Sequence, residues 1–525
     1  MLRFRALALV VLATACATGA STALGGQTPV ATAAAPPAHT DGIAWYEGDV
    51  RAAFRYARAG KKPVFVYWGA EWCPPCQQVK ATLFRRREFI ERTRLLVPVY
   101  LDGDSQSAQK YGEQFGVVGY PTMILFRPDG TEIMRLPGGV DIELYDTVLD
   151  SALKTLRPMT EIVAAAKHDP ASLTPGDWKL LAFYSWETGE QRIVSDADRQ
   201  GLLEQLLPHC PATVEADCVR LKLSLAALVA QAKDPPRVKL DQRALLATLN
   251  EVLGKPELRP VSLDYMLYAA DDLVKVATQP NSTERKALVA TWKSTLTQIA
   301  NDESVSKADR VATGYARVAL AKLDAGDNPL PADVLALARE RAAWGDRVTT
   351  DAYERQSVIN VAGNLLAAAG LDADANALLT RELARSKSPY YFMLDIADLA
   401  QKAGHKELAL HWLERAYNES RGPATRFQWG TNYLLGLIEM APGDGERIER
   451  VGLDVLGELG RDKDGIYQRS RIRLERIDTA MREWNRTGKH TPVIEALRGR
   501  LSEVCTPVAA GDSARKACDQ FLAKA

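Results

Sequence analysis

Residues 63–76 read Pro63-Val64-Phe65-Val66-Tyr67-Trp68-Gly69-Ala70-Glu71-Trp72-Cys73-Pro74-Pro75-Cys76. The first six are apolar, β-branched or aromatic, which is the composition of a buried strand. An amphipathic run from Cys76 to Phe84 follows, so the two cysteines lie where a strand gives way to a helix. That placement matters because only the thiolate is nucleophilic. Unpaired N–H groups and the positive end of the helix dipole stabilise it at a helix N-terminus. Cys76 falls one turn inside, within reach of a mixed disulfide formed at Cys73. A static disulfide is the plainer reading of two cysteines, but a loop this small gains little stability from closure.

Working outward, residues 43–158 alternate helix and strand. Asp49 to Ala59 reads as a helix, Leu95 to Leu101 as a strand ending at Asp102-Gly103-Asp104, and Ala108 to Phe115 as a helix. A strand through Gly119–Phe126 is separated from Thr131–Leu136 by Asp129-Gly130, a hairpin signal. A last helix covers Asp141 to Leu156.

Glu71-Trp72-Cys73-Pro74-Pro75-Cys76 resembles the active-site segment of the thioredoxin superfamily. Phe115-Gly116-Val117-Val118-Gly119-Tyr120-Pro121-Thr122 is similar to its cis-proline segment, in a Gly-Tyr-Pro-Thr form shared with disulfide isomerases. Gly138-Gly139 stands where thioredoxins carry a glycine before the final helix. The resemblance implies an α/β thioredoxin fold over 43–158, with Cys73 as nucleophile and Cys76 as resolving thiol. It implies a cis Pro121, with the Tyr120 backbone pairing to an extended substrate, and Trp72 covering one side of the site. Pro75 matches reducing members, whereas Pro74 replaces their usual glycine, and this pair tunes the potential. The buried aspartate of thioredoxins is missing: Tyr67 holds its place, and Glu71 is the candidate substitute as proton acceptor beside the plainer reading of an exposed charge. The spacing is closest to periplasmic thioredoxin-like proteins.

The N-terminus points outside the cytoplasm. Arg3 and Arg5 precede an apolar run from Ala6 to Ala13 and then Ala13-Thr14-Ala15, which reads as a secretory signal within 1–20. Cys16 follows directly, as at a lipoprotein processing site ending at residue 15, although Ala13 stands where such sites carry leucine. Lipidation of Cys16 and plain cleavage both stay open. Residues 21–42, rich in Ala, Thr, Pro and Gly, read as a flexible linker. Cys210 with Cys218 and Cys505 with Cys518 are spaced as structural disulfides closing short loops, and no four-ligand metal pattern accompanies them.

Lys plus Arg and Asp plus Glu both total 66, so the formal charge is zero and no field of one sign recommends nucleic acid. The cluster Arg85-Arg86-Arg87 reads as a solvated helix end. A membrane contact is expected only through a lipid on Cys16. From 160 to 525, amphipathic segments alternate with Gly, Pro and Asp breaks, predicting an all-α region of helical hairpins. Gly363 and Ala397, Gly370 and Gly404, Ala375 and Ala409, Leu379 and Leu413, and Pro389 and Pro423 are each 34 apart, a spacing similar to tetratricopeptide repeats over 356–423.

Two functions follow as expectations. One is an exported, periplasmic or otherwise extracytoplasmic thiol–disulfide oxidoreductase of reductase or isomerase type. It would act on protein disulfides, draw on an external thiol reductant or oxidant, and need no cofactor. Its helical region would then be either a platform bringing proteins to a solvent-reachable Cys73 or a merely structural domain. The alternative is a non-catalytic helical-repeat assembly protein carrying a thioredoxin-fold module.

Overall fold

The strand before the cysteines is buried on both faces, which is why its six residues are apolar without alternation. A computed structural model describes residues 42–136, 142–186, 193–232, 238–323, 325 and 328–523. The secretory signal, Cys16, nearly all of the linker and Gly138-Gly139 lie outside the described residues. The sheet has the order β2-β1-β3-β4, with β1 (Val64–Gly69), β2 (Val97–Asp102), β3 (Thr122–Phe126) and β4 (Glu132–Leu136). β1 runs parallel to β2 and antiparallel to β3, which pairs antiparallel with β4.

Val64, Val66 and Trp68 pack on one face with Val97, Val99 and Ile124. They meet Val50, Ala53 and Ala57 of α1 (Val50–Gly60) and Ala108 of α4 (Ala108–Gln114). Phe65, Tyr67, Met123 and Leu125 fill the other face with residues of α2 (Pro74–Ala81), α3 (Arg87–Thr93) and α5 (Ile142–Thr155). At about 1.5–3 kcal/mol for each large apolar side chain removed from water, this double-sided strand anchors the domain.

Beyond β4 the described residues contain no further strand. Helices follow from α6 (Met159–His168) to α24 (Ser513–Gln520). No described helix is long and apolar enough to cross a membrane. The turn between α5 and α6 is no gap in packing, because α6 lies on β4 and one apolar core continues from the sheet into the helices. Cys210 is bonded to Cys218, and Cys505 to Cys518. The second bond joins α23 (Thr491–Cys505) to α24.

The 34-residue offset corresponds to stacked hairpins: α16 (Ala352–Ala368) with α17 (Asp372–Glu382), α18 (Pro389–Lys402) with α19 (Lys406–Glu419), and α20 (Pro423–Met440) with α21 (Gly445–Glu458). Pro389 and Pro423 each occupy the first helical position, where a missing N–H costs nothing. Gly370 and Gly404 adopt φ of 75° and 77° at the turns inside the hairpins. A Cβ on Gly363 would come within 2.8 Å of Leu379 Cδ2, so the glycine sets how closely α17 approaches α16. The Gly363→Val protein should lose about 1–3 kcal/mol of stability by overpacking, read as a lower urea midpoint.

A dithiol centre under a helical cover

Cys73 is the N-cap of α2, with φ −75° and ψ 115°, and the N–H of Cys76 donates to its sulfur at 3.2 Å. Pro74 and Pro75 fill the first turn, where neither deprives the helix of a needed donor. The two sulfurs are bonded, with the Cα atoms 5.2 Å apart. The Tyr120–Pro121 peptide is cis. The Tyr120 ring lies edge-on to Trp72 at 5.6 Å, and the Thr122 hydroxyl donates to Gly119 O at 2.8 Å. The sequence-derived set Trp72, Cys73, Pro74, Pro75, Cys76, Tyr120, Pro121 and Thr122 therefore belongs to one end of the sheet.

Two further residues singled out in the sequence stand apart from that set. The Glu71 side chain is exposed, and the residue engages the site through its carbonyl, which accepts from the Gln77 amide. Tyr67, where the family carries an aspartate, is buried and aims its hydroxyl at Cys76 O from 3.5 Å. Among the described residues no group of three His, Cys, Asp or Glu is arranged to hold a metal ion.

The expectation of a solvent-reachable Cys73 is overturned. Cys73 is 2% exposed, Cys76 0% and Trp72 8%, because the helical array closes over them. α2 packs along α16, and the Gln356 amide donates to Trp72 O at 3.1 Å. The Trp72 ring is enclosed by Tyr391, stacked at 6.0 Å, and Trp429, edge-on at 4.7 Å. Its indole N–H donates to Thr425 Oγ1 at 2.8 Å. Helices of the array are thus spent on the chain's own Trp72.

Thr425 is itself held by Asp104. The carboxylate accepts the Thr425 N–H at 2.7 Å and the Thr425 hydroxyl proton. Asp104 thus caps the first turn of α20 from another part of the fold, placing negative charge at the positive end of the dipole. Gly422, at φ 86°, makes room: a Cβ there would lie 2.3 Å from Asp104 Cγ. Burial and neighbouring Asp102 push the Asp104 carboxyl up to about 7, outweighing the hydrogen bonds from Thr425.

The array also grips the domain on either side of the dithiol. Gln78 donates to Ser306 Oγ at 2.9 Å, and Arg85 pairs with Asp351 at 3.3 Å. The basic run read as a solvated helix end therefore supplies an ion pair between the two parts. On the far side Lys110 meets Asp464 at 3.1 Å. Glu113 accepts from Gln468 N at 3.0 Å and pairs with Arg471 at 3.3 Å.

Residues 50–153 match the family model of the thioredoxin-like domain. The thioredoxin of Alicyclobacillus acidocaldarius subsp. acidocaldarius is 31% identical over 101 residues, which is 19% of this chain and 91% of that protein. The thioredoxin of Mycolicibacterium smegmatis is 36% identical over 77 residues, 15% of this chain and 66% of the relative. That of Mycobacterium tuberculosis H37Rv is 36% identical over 80 residues, 15% of this chain and 65% of the relative. The chain thus spans just under two thirds of the length of these mycobacterial relatives, and each of the three alignments takes in less than a fifth of this chain.

The raised Asp104 carboxyl fixes a pH dependence. An aspartate unfolded near 3.9 and folded near 7 binds more protons when folded, so its contribution is fully present below the unfolded value and is lost as pH rises through about 7. Asp395, pushed up to about 7 by burial, adds a second dependence of the same sign. The wild-type melting temperature should therefore fall between pH 5 and 8 more steeply than that of Asp104→Asn, which keeps only the other groups' slope.

Proposed function

The chain belongs to the thioredoxin family through its N-terminal domain, and on that premise we propose that it exchanges disulfides through Cys73 and Cys76, with access governed by its own helical array. The observation that carries this reading is a cysteine pair at the N-terminus of α2, in the same domain as the cis Tyr120–Pro121 peptide, in a chain whose relatives include thioredoxins. The Cys73 thiolate attacks a substrate disulfide, forms a mixed disulfide and expels one substrate thiolate. Cys76 then attacks the Cys73 sulfur, releases the second substrate thiol and closes the Cys73–Cys76 bond. Two electrons pass from the dithiol to the substrate, and an external thiol must return them. The N–H of Cys76 on the Cys73 sulfur favours the thiolate.

Because Cys73 is 2% exposed, a folded protein reaches it only when α16 and the start of α20 draw back from Trp72. Small thiols need less opening. The secretory pattern and the cysteine usage support an exported, extracytoplasmic setting for this chemistry, anchored by lipid if Cys16 is processed as a lipoprotein cysteine. The helical hairpins, at their tetratricopeptide-like offset, serve first as a cover for the dithiol.

One observation favours the non-catalytic reading: the same burial suits a module whose disulfide never opens. Native-state reduction separates the two. The Cys73–Cys76 bond of the full chain should open under a small dithiol without loss of the folded signal. The Cys76→Ala protein should then accumulate mixed disulfides on Cys73 when given a peptide disulfide. Reduction that proceeds only in denaturant would overturn exchange and leave the assembly reading. Thr425→Val, which removes the acceptor for Trp72 and the donor to Asp104, should speed alkylation of reduced Cys73 at least several-fold relative to wild type.

A further inference from the structure

Helix α22 (Gln468–Trp484) carries Arg469, Arg473 and Arg476 at spacings of four and three, on one helical face. Several other enclosed arginines of the chain are matched with acids: Arg135 with Glu132, Arg220 with Asp264, Arg355 with Glu382, and Arg426 with Glu458. The α22 cluster is different. Arg469 lies over the Tyr120 ring at 4.5 Å and donates to Gln428 Oε1 at 2.9 Å and Val118 O at 3.4 Å, and its Nε has no partner. Arg473 donates to Asn432 Oδ1 at 3.2 Å. Among the described residues none of the three forms an ion pair with a carboxylate. In a chain of zero net charge that pairs several of its buried guanidiniums with its own acids, three arginines gathered without one point to an anion from outside.

The cluster adjoins the dithiol centre. A cavity of about 10 Å³ is lined by Trp72, Tyr120, Gln428, Arg469, Ser470 and Arg473. Arg469 and Arg473 are partly buried, whereas Arg476 is exposed, so the row leads from solvent towards the tryptophan beside Cys73. The cavity has room for about one oxygen-sized group, so a carboxylate would enter it by a single oxygen, with the rest of the ligand left outside. Burial and the mutual repulsion of the three push the Arg473 guanidinium down to about 9, the signature of a cation lacking its counter-charge.

We propose that this arginine row binds an acidic peptide segment, selecting substrates with carboxylates near the exchanging cysteine. The substrate role rests on the disulfide-exchange reading above, whereas the binding itself does not. The test therefore uses the full-length protein with its disulfides closed and a cysteine-free peptide of alternating glutamate and glycine, titrated calorimetrically. A glutamine-for-glutamate peptide and inorganic phosphate are the comparison ligands. The acidic peptide should bind saturably, weaken as salt rises, and bind about tenfold more weakly to Arg469→Gln/Arg473→Gln, the loss expected for a charge-assisted hydrogen bond. The glutamine peptide should not bind. Equal binding of both peptides, undiminished binding to the double variant, or binding of phosphate without the acidic peptide would each overturn the proposal. Should the double variant fail to fold, Arg473→Met decides. A melting temperature held or raised, with the peptide response lost, supports an unpaired binding cation, and a steep drop makes Arg473 a structural residue and sinks the site. Exchange failing while the acidic peptide still binds would count against the earlier reading alone.

Discussion

The indole N–H of Trp72 is satisfied by a threonine 353 residues later in the chain, and most of what distinguishes this protein from a free thioredoxin-like domain depends on that bond. A tryptophan next to a reactive cysteine pair is apolar surface with one polar handle. When Thr425 takes the handle and Tyr391 and Trp429 enclose the ring, the surface that would meet a substrate is already occupied. The helical array is thereby held across the mouth of the site.

Thr425 is fixed in turn by Asp104, so a single chain of hydrogen bonds runs from the indole through the hydroxyl to the accepting carboxylate. Each member is positioned by a different device. Trp72 is set by the turn into α2, Thr425 by the first turn of α20, and Asp104 by the end of β2. Gly422 allows the last two to meet, because a side chain there would occupy the carboxylate's place. A network this connected stabilises most when every group is satisfied, and removing one member leaves the others buried without partners.

Much of this was legible in the sequence, and the division has a physical basis. The strand through Tyr67, the helix opened by Cys73, the hairpin at Asp129-Gly130 and the 34-residue helical offset are local patterns, set by residues within a few positions of one another. The short-range pairs Cys210 with Cys218 and Cys505 with Cys518 were readable for the same reason. The cover over the dithiol was not, because Gln356, Thr425 and Trp429 look like ordinary residues of ordinary helices, and only the folded array brings them to Trp72. Asp102-Gly103-Asp104 read simply as the end of a strand, since nothing near it in sequence shows that one carboxylate would cap a distant helix. The arginines of α22 carried a faint signal: three basic residues share a face, but the lack of an opposing acid shows only in three dimensions.

The order of the chain adds a temporal side to the cover. Synthesis delivers the cysteine-bearing domain first, whereas Gly422, Thr425 and Trp429 lie in its last quarter. A growing or clipped polypeptide that stops short of α20 has α16 to lay against α2 but lacks Thr425 and Trp429, and so leaves the Trp72 indole less enclosed. The part of the cover that holds the indole is thus the part the ribosome supplies late, after the cysteines and α16 are already made.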